Sequence, residues 1–212
     1  MIFNISKKYQ VITKLNVDSA NIEMVREATL LGTVITDKLS WDRNTEELAK
    51  KGFKRMQLLN AAAAFTSNRN DLKDIYLTFI RSILEQSAVV WHSSLSVKNK
   101  MDLERIQKAA VRVIMGKNYN SYKNGLKALR LDTLENRRES LCLKFAKNCL
   151  KNEKMKSLFP INKTSHPMKT RKQRMFHTKK NNTKRWKKSA LPYMTKLMND
   201  ENEKKNEILK NT

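Results

Sequence analysis

The side chains able to do chemistry in this chain are above all cations. Arg105, Lys108 and Arg112 recur at three- and four-residue spacing, and Arg137, Lys144, Lys147 and Lys151 form a second such series. At 100° per residue, each series falls on the side of a helix largely opposite an apolar stripe. Basic faces of this kind can track a phosphate backbone, whereas a single one is more simply the solvated side of a surface helix. Further along, Arg171, Lys172 and Arg174 are followed by Lys184, Arg185, Lys187 and Lys188 around Trp186. An aromatic ring among cations suits stacking on a base, and serves equally well as an anchor on the protein body.

The residues needed for catalysis are not arranged for it. Four glycines, at 32, 52, 116 and 125, cannot make a dinucleotide fingerprint, a phosphate-cradling loop or a nucleophile elbow. Cys142 and Cys149 are seven residues apart, about 10 Å along a helix axis, too far to bridge and unlike paired zinc ligands. They read as core thiols. His92, His166 and His177 have no acidic residue two positions on, and no Asp-Asp pair exists to hold two metal ions. Asp18, Asp37 and the Glu46-Glu47 pair are explained by turns and helix starts. The expectation is a chain without catalytic residues, cofactor or metal.

The elements that carry the cations follow from composition and period. The 212 residues hold 44 Lys+Arg against 20 Asp+Glu, a net charge of +24, which favours a polyanionic partner. Only four Gly and three Pro argue for helix over a loop-rich β fold. No apolar run approaches the ~20 residues of a bilayer span, and two cysteines without an apolar leader segment point to a reducing, intracellular compartment.

Charge divides the chain into residues 1–40 at +1, 41–153 at +10 and 154–212 at +13. From Lys154 to Asn199 fourteen basic residues occur and no acidic one, so the last segment is expected to be a partly disordered tail, with a short frayed helix after Asp200. Residues 1–40 carry the strand signal: Ile2-Phe3-Asn4-Ile5, alternation through Val11, Thr13, Leu15 and Val17, and the run Thr33-Val34-Ile35-Thr36.

From 41 the period becomes helical. Asn44 with Glu47 reads as a cap for a helix over about 45–64 carrying Leu48, Gly52, Met56, Leu59 and Ala63 inward. A broad stripe from Leu72 through Tyr76, Phe79, Ile80, Leu84 and Ser87 to Trp91 predicts one central helix. Ser96 caps the next, with Leu103, Ile106, Ala110 and Val113 inward and an end at Gly116. A short helix is expected near 122–129. Asp132 with Glu135 opens a last one carrying Leu134, Leu141, Phe145 and Cys149. The fold class is therefore mostly α: short N-terminal strands, a helical bundle over 41–153 and a basic tail.

Read in order, several strings resemble the region that follows the polymerase active site in reverse transcriptases of non-LTR (LINE-type) retrotransposons. Met1-Ile2-Phe3-Asn4 is similar to the palm strand after the catalytic loop, and Leu31-Gly32 through Ile35 with Leu39-Ser40-Trp41 resembles the palm-to-thumb junction. Ile80 to Glu85 with Val90-Trp91-His92 resembles the long thumb helix. Leu103 to Arg112 with Gly116, and Arg137-Arg138 leading into Leu141 to Leu150, look like the helices after it. The resemblance covers residues 1 to about 160. It implies a palm edge followed by a helical thumb and connection that grips template and growing strand. The family's Tyr-x-Asp-Asp loop, fingers and upstream palm would lie before Met1, so the resemblance implies a truncated product without polymerase activity, whose partners are RNA, DNA or an RNA/DNA hybrid and the missing palm and fingers.

Part of this region has also been likened to an AlkB-type tRNA-modifying protein, whose Fe(II) needs a His-x-Asp pair and a distant His. Here His92 is followed by Ser93-Ser94, His166 by Pro167-Met168 and His177 by Thr178-Lys179, and that reading fails. Two others compete with nucleic-acid binding. Lys179-Lys180 followed by Lys184 to Lys188 resembles a split nuclear-import signal, which suits a freestanding nuclear interaction module and makes the nucleus a better expectation than the cytoplasm. The third reading is a relic reading frame without selected function.

Overall fold

The computed structural model describes residues 15–17, 20–22, 25–162, 174–177 and 183–210, the first two segments and residue 210 by their backbone alone. The expected strand at Ile2 to Ile5 and the alternation at Val11 and Thr13 lie outside the described residues. Among the described residues the fold is mostly α, with short antiparallel hairpins at its start. Leu15–Val17 (β1) pairs with Ala20–Ile22 (β2), and Glu27–Leu30 (β3) with Thr33–Thr36 (β4), Leu30 opposite Thr33. Leu31 and Gly32 close the second hairpin with φ of +49° and +77°, the two-residue turn whose twist matches its strands.

The first helix, Asp42–Phe65 (α1), takes hold of that hairpin. Val34 N–H donates to Asn44 Oδ1 at 3.1 Å, and Arg43 pairs with Glu27 at 3.3 Å and Glu46 at 3.1 Å. With its carboxamide oxygen spent on β4, Asn44 is not the cap; the helix starts at Asp42, behind Trp41. Leu48, Gly52, Met56 and Leu59 are buried as expected, while Ala63 is half-buried.

The central stripe does not form one helix. Arg69–Ile75 (α2) runs into a π-helical stretch, Tyr76–Arg81, and a last turn, Ser82–Leu84 (α3). The chain then breaks at Ser87, held at φ +52°, before Ala88–Trp91 (α4). The reason lies in packing. Two compact units divide the chain, Met1–Gln86 with Leu95–Leu131 and Ser87–Ser94 with Asp132–Thr212. Tyr76, Ile80 and Leu84 fill the core of the first unit, while Trp91 is buried in the second, so one sequence stripe serves two cores and the backbone must turn between them.

In the first unit, Val97–Met115 (α5) lies against α1, its N-terminus capped by Ser96 Oγ, which accepts from Asn99 N at 3.1 Å. Leu103, Ile106 and Ala110 are buried as expected, together with Val111 and Ile114, and Val113 is half-buried. Tyr122–Leu129 (α6) covers the 122–129 span expected for a short helix.

In the second unit, Leu134–Lys151 (α7) is capped by Thr133 rather than Asp132, Thr133 Oγ1 accepting from Asn136 N at 3.2 Å. Its buried line is Leu134, Arg138, Cys142, Ala146 and Cys149, one residue round from the expected Leu141 and Phe145, which are half-buried. What turns it is the segment read as a tail. Lys184–Lys187 (α8) and Ala190–Lys210 (α9) are helical, and Met194 and Met198 of α9 join Cys142, Ala146, Cys149, Phe159 and Phe176 in one apolar cluster. Asn199 secures the Phe176 backbone, accepting from its N–H at 2.9 Å and donating to its carbonyl at 3.1 Å. Both cysteines are free and buried; desolvation pushes the Cys142 thiol up to about 11 and raises that of Cys149.

Candidate nucleic-acid interface

The α5 cations sit on a scaffold of tyrosines. Gly125 allows α6 to approach α5 so closely that a Cβ there would fall 2.5 Å from Val111 Cγ1. That approach brings Tyr122 beneath Lys108, whose ammonium lies 5.4 Å from the ring centre, while Arg112 lies 6.0 Å from the ring centre of Tyr119. A cation over an aromatic face gains electrostatic attraction from the ring quadrupole and loses rotamer freedom before any ligand arrives. Lys108 and Arg112 remain exposed and have no ion pair among the described residues, so their charge is available to an anion. Arg105, the third member of the series, is exposed but pairs with Asp102 at 3.1 Å.

A buried polar chain holds Tyr122 in place. Its hydroxyl donates to Glu104, and Gln107 Nε2 donates to the same hydroxyl at 2.7 Å. Tyr76 donates to Gln107 Oε1 from the other side, linking α5 and α6 to the π-helical stretch. Desolvation, reinforced by the Glu104 carboxylate, raises the Tyr122 phenol far above its ordinary value. Tyr119 and Tyr122 were not among the residues singled out by sequence, and Gly125 only as one of four glycines unable to form a phosphate-cradling loop. Their signal was present as Tyr119-x-x-Tyr122-x-x-Gly125, but only the packing of α6 on α5 shows what the tyrosines support.

The basic series of α7 is put to more mixed use. Lys144 and Lys151 are exposed beside a groove of about 630 Å³ whose walls include Leu143 and Leu150. Lys147 borders the same groove but donates to Glu201 of α9 at 2.6 Å, and this bond holds the Glu201 carboxyl below the usual range. Arg137 is half-buried. Its neighbour Arg138, on the buried line, has no exposure at all, with its guanidinium 5.6 Å from the Trp91 ring centre and Nε 3.4 Å from His92 Nδ1.

In the C-terminal segment, Arg171 and Lys172 lie outside the described residues, as do Lys179 and Lys180 of the split basic motif. Arg174 is exposed, and its carbonyl accepts from Asn162 Nδ2 at 2.7 Å. Lys184, Arg185, Lys187 and Lys188 are exposed on or beside α8, while Trp186 is half-buried and lines a pocket of about 190 Å³. The structure thus gathers Arg105, Lys108 and Arg112 in the first unit and the remaining described candidates in the second.

Among the described residues, no group of three or more His, Cys, Asp or Glu side chains is placed to hold a metal ion, and no helix is long and apolar enough to cross a membrane. Comparison with known proteins finds no matching family model, no similar curated protein and no similar solved structure.

Proposed function

We propose that this chain is a non-catalytic, sequence-tolerant nucleic-acid-binding protein that grips the phosphates of RNA, DNA or an RNA/DNA hybrid. The observation that carries the reading is the pair of exposed cations on α5, Lys108 and Arg112, each set over a tyrosine ring. Pre-ordered cations lose less entropy on meeting a phosphate, which favours them as anchors over the mobile lysines of an ordinary surface. Lys144, Lys151 and the α8 cations add sequence-independent attraction, in keeping with a net charge of +24.

The proposal extends to origin. The ordered strings over residues 1 to about 160 support descent from the palm-edge, thumb and connection region of a LINE-type reverse transcriptase, and the mostly helical fold agrees with a thumb. The exposed cations of α8 support a nuclear rather than cytoplasmic place of work.

The test is the affinity of the full chain for a short RNA/DNA hybrid as a function of salt. Each neutralised phosphate contributes ~0.7 to 0.9 to the log–log slope, so binding should weaken steeply from low to physiological salt. Absence of binding at low salt, or an affinity indifferent to salt, overturns the reading.

A further inference from the structure

The pocket at α8 is built differently from the phosphate-facing surfaces. Trp186, Leu158, Pro160, Leu191 and Pro192 provide flat or apolar walls, and His177 supplies a polar edge. Two contacts fix this frame: His177 N–H donates to the Pro160 carbonyl at 2.8 Å, and Ser189 Oγ donates to the Trp186 carbonyl at 2.7 Å. The Trp186 Nε1–H is itself fully buried and has no acceptor among the described residues, so all the indole surface that remains accessible is carbon. At about 190 Å³ the pocket is smaller than the ~300 Å³ at which sites for drug-sized ligands begin, which suits one planar ring rather than a larger ligand. Exposed Lys184, Lys187 and Lys188 flank Trp186 in sequence and in the α8 turn. An aromatic wall beside several cations matches a ligand with a flat π face and a negatively charged backbone on either side.

We propose that this pocket accepts one unpaired base of a single-stranded nucleic acid, stacked on Trp186, with the α8 lysines on the flanking phosphates. The inference rests on the nucleic-acid reading and narrows it: a duplex keeps its bases stacked and offers the pocket nothing, whereas a single strand can splay one out. Anchoring on the body and stacking on a base, alternatives for Trp186 in sequence, become compatible, because the anchored ring forms a wall of the pocket.

The test uses the full chain at low salt, titrated with a short strand of deoxyadenylates and with the same strand paired into a duplex, following tryptophan fluorescence and affinity together. The single strand should quench the fluorescence, and Trp186→Phe should abolish the quenching while retaining most of the affinity. Trp186→Ala should weaken single-strand binding by about fivefold to about a hundredfold and leave duplex binding unchanged. His177→Ala, at an exposed wall position, should give a smaller loss, again for the single strand alone. Equal losses for both probes in these variants, or unaltered single-strand binding in Trp186→Ala, overturn the pocket while the broader reading stands. Quenching by a proline-rich apolar peptide that the single strand does not displace overturns it in favour of a peptide site. Failure of both probes to bind the parent chain overturns the reading beneath it as well.

Discussion

Among the described residues, three cation–aromatic contacts occur at nearly the same distance and serve opposite ends. Lys108 over Tyr122 and Arg112 over Tyr119, at 5.4 and 6.0 Å, keep their charges in solvent, whereas Arg138 over Trp91, at 5.6 Å, has none of its surface exposed. The pair geometry alone does not separate a binding surface from a core. What separates them is the other side of the cation: solvent in the first unit, the His92 imidazole and packed protein in the second. A buried guanidinium is held by its surroundings and contributes to order there; an exposed one held on a ring is poised for a partner.

The largest effect should come from the buried member. Arg138→Ala removes the cation from His92 and Trp91 and leaves a cavity, and should destabilise the protein by about 3 kcal/mol or more in denaturant titration. Hydrogen exchange should accelerate first in α7 and α9. An equal loss of protection in α1 and α5 would contradict the assignment of Arg138 to the second core.

Removing the exposed pair should leave stability nearly untouched and weaken binding. Lys108→Ala with Arg112→Ala should lower affinity for an RNA/DNA hybrid by more than about tenfold at low salt and reduce the log–log salt slope by ~1.4 to 1.8, two phosphate contacts' worth. A double variant that binds as the parent does would show that the tyrosine-held cations face no phosphate.

The smallest effect concerns Lys147, a surface cation committed to an internal partner. Glu201 is held below its ordinary value of 4.5 chiefly by the hydrogen bond from Lys147, with Lys205 also within 3.6 Å. A carboxyl whose value is depressed by folding contributes stability that is complete above the ordinary value and lost as pH falls through the lowered one. Acid should therefore release Lys147, and Glu201→Gln should mimic that release at neutral pH. The variant should change stability by less than about 1 kcal/mol and steepen the salt slope of binding by ~0.7 to 0.9. An unchanged slope would place Lys147 away from the bound phosphates.

What could be read from the residues, and what could not, follows the same division. Two helices were legible almost to the residue, α5 with its Ser96 cap and the short α6 at 122–129. The α7 stripe was rotated because a second helix, α9, covers a flank that charge counting had assigned to solvent. That helix had announced itself, since Leu191, Met194, Thr195 and Met198 recur at helical spacing, but fourteen cations without an acid outweighed the period. Charge describes the outer face of a helix and says nothing about whether its inner face is apolar. The candidate interface was half legible: the cations could be listed and Asp102 stands three residues before Arg105 on the same helix, but Lys147 and Lys108 are engaged by groups brought from elsewhere in the chain, Glu201 and Tyr122.

The excursion of Ser87–Ser94 out of one unit and into the other also sets an order of assembly during synthesis. Trp91 and His92 leave the ribosome well before their partners: Arg138 lies 46 residues after His92, and the Lys188 carbonyl that accepts from Ser94 lies 94 residues after it. The first unit can close once Leu131 has emerged, while this loop must wait, with its indole still in water, until α7 and α9 arrive. Its burial is the late event in folding, and a chain that stops short of α9 carries a complete first core and an exposed tryptophan that a chaperone would recognise.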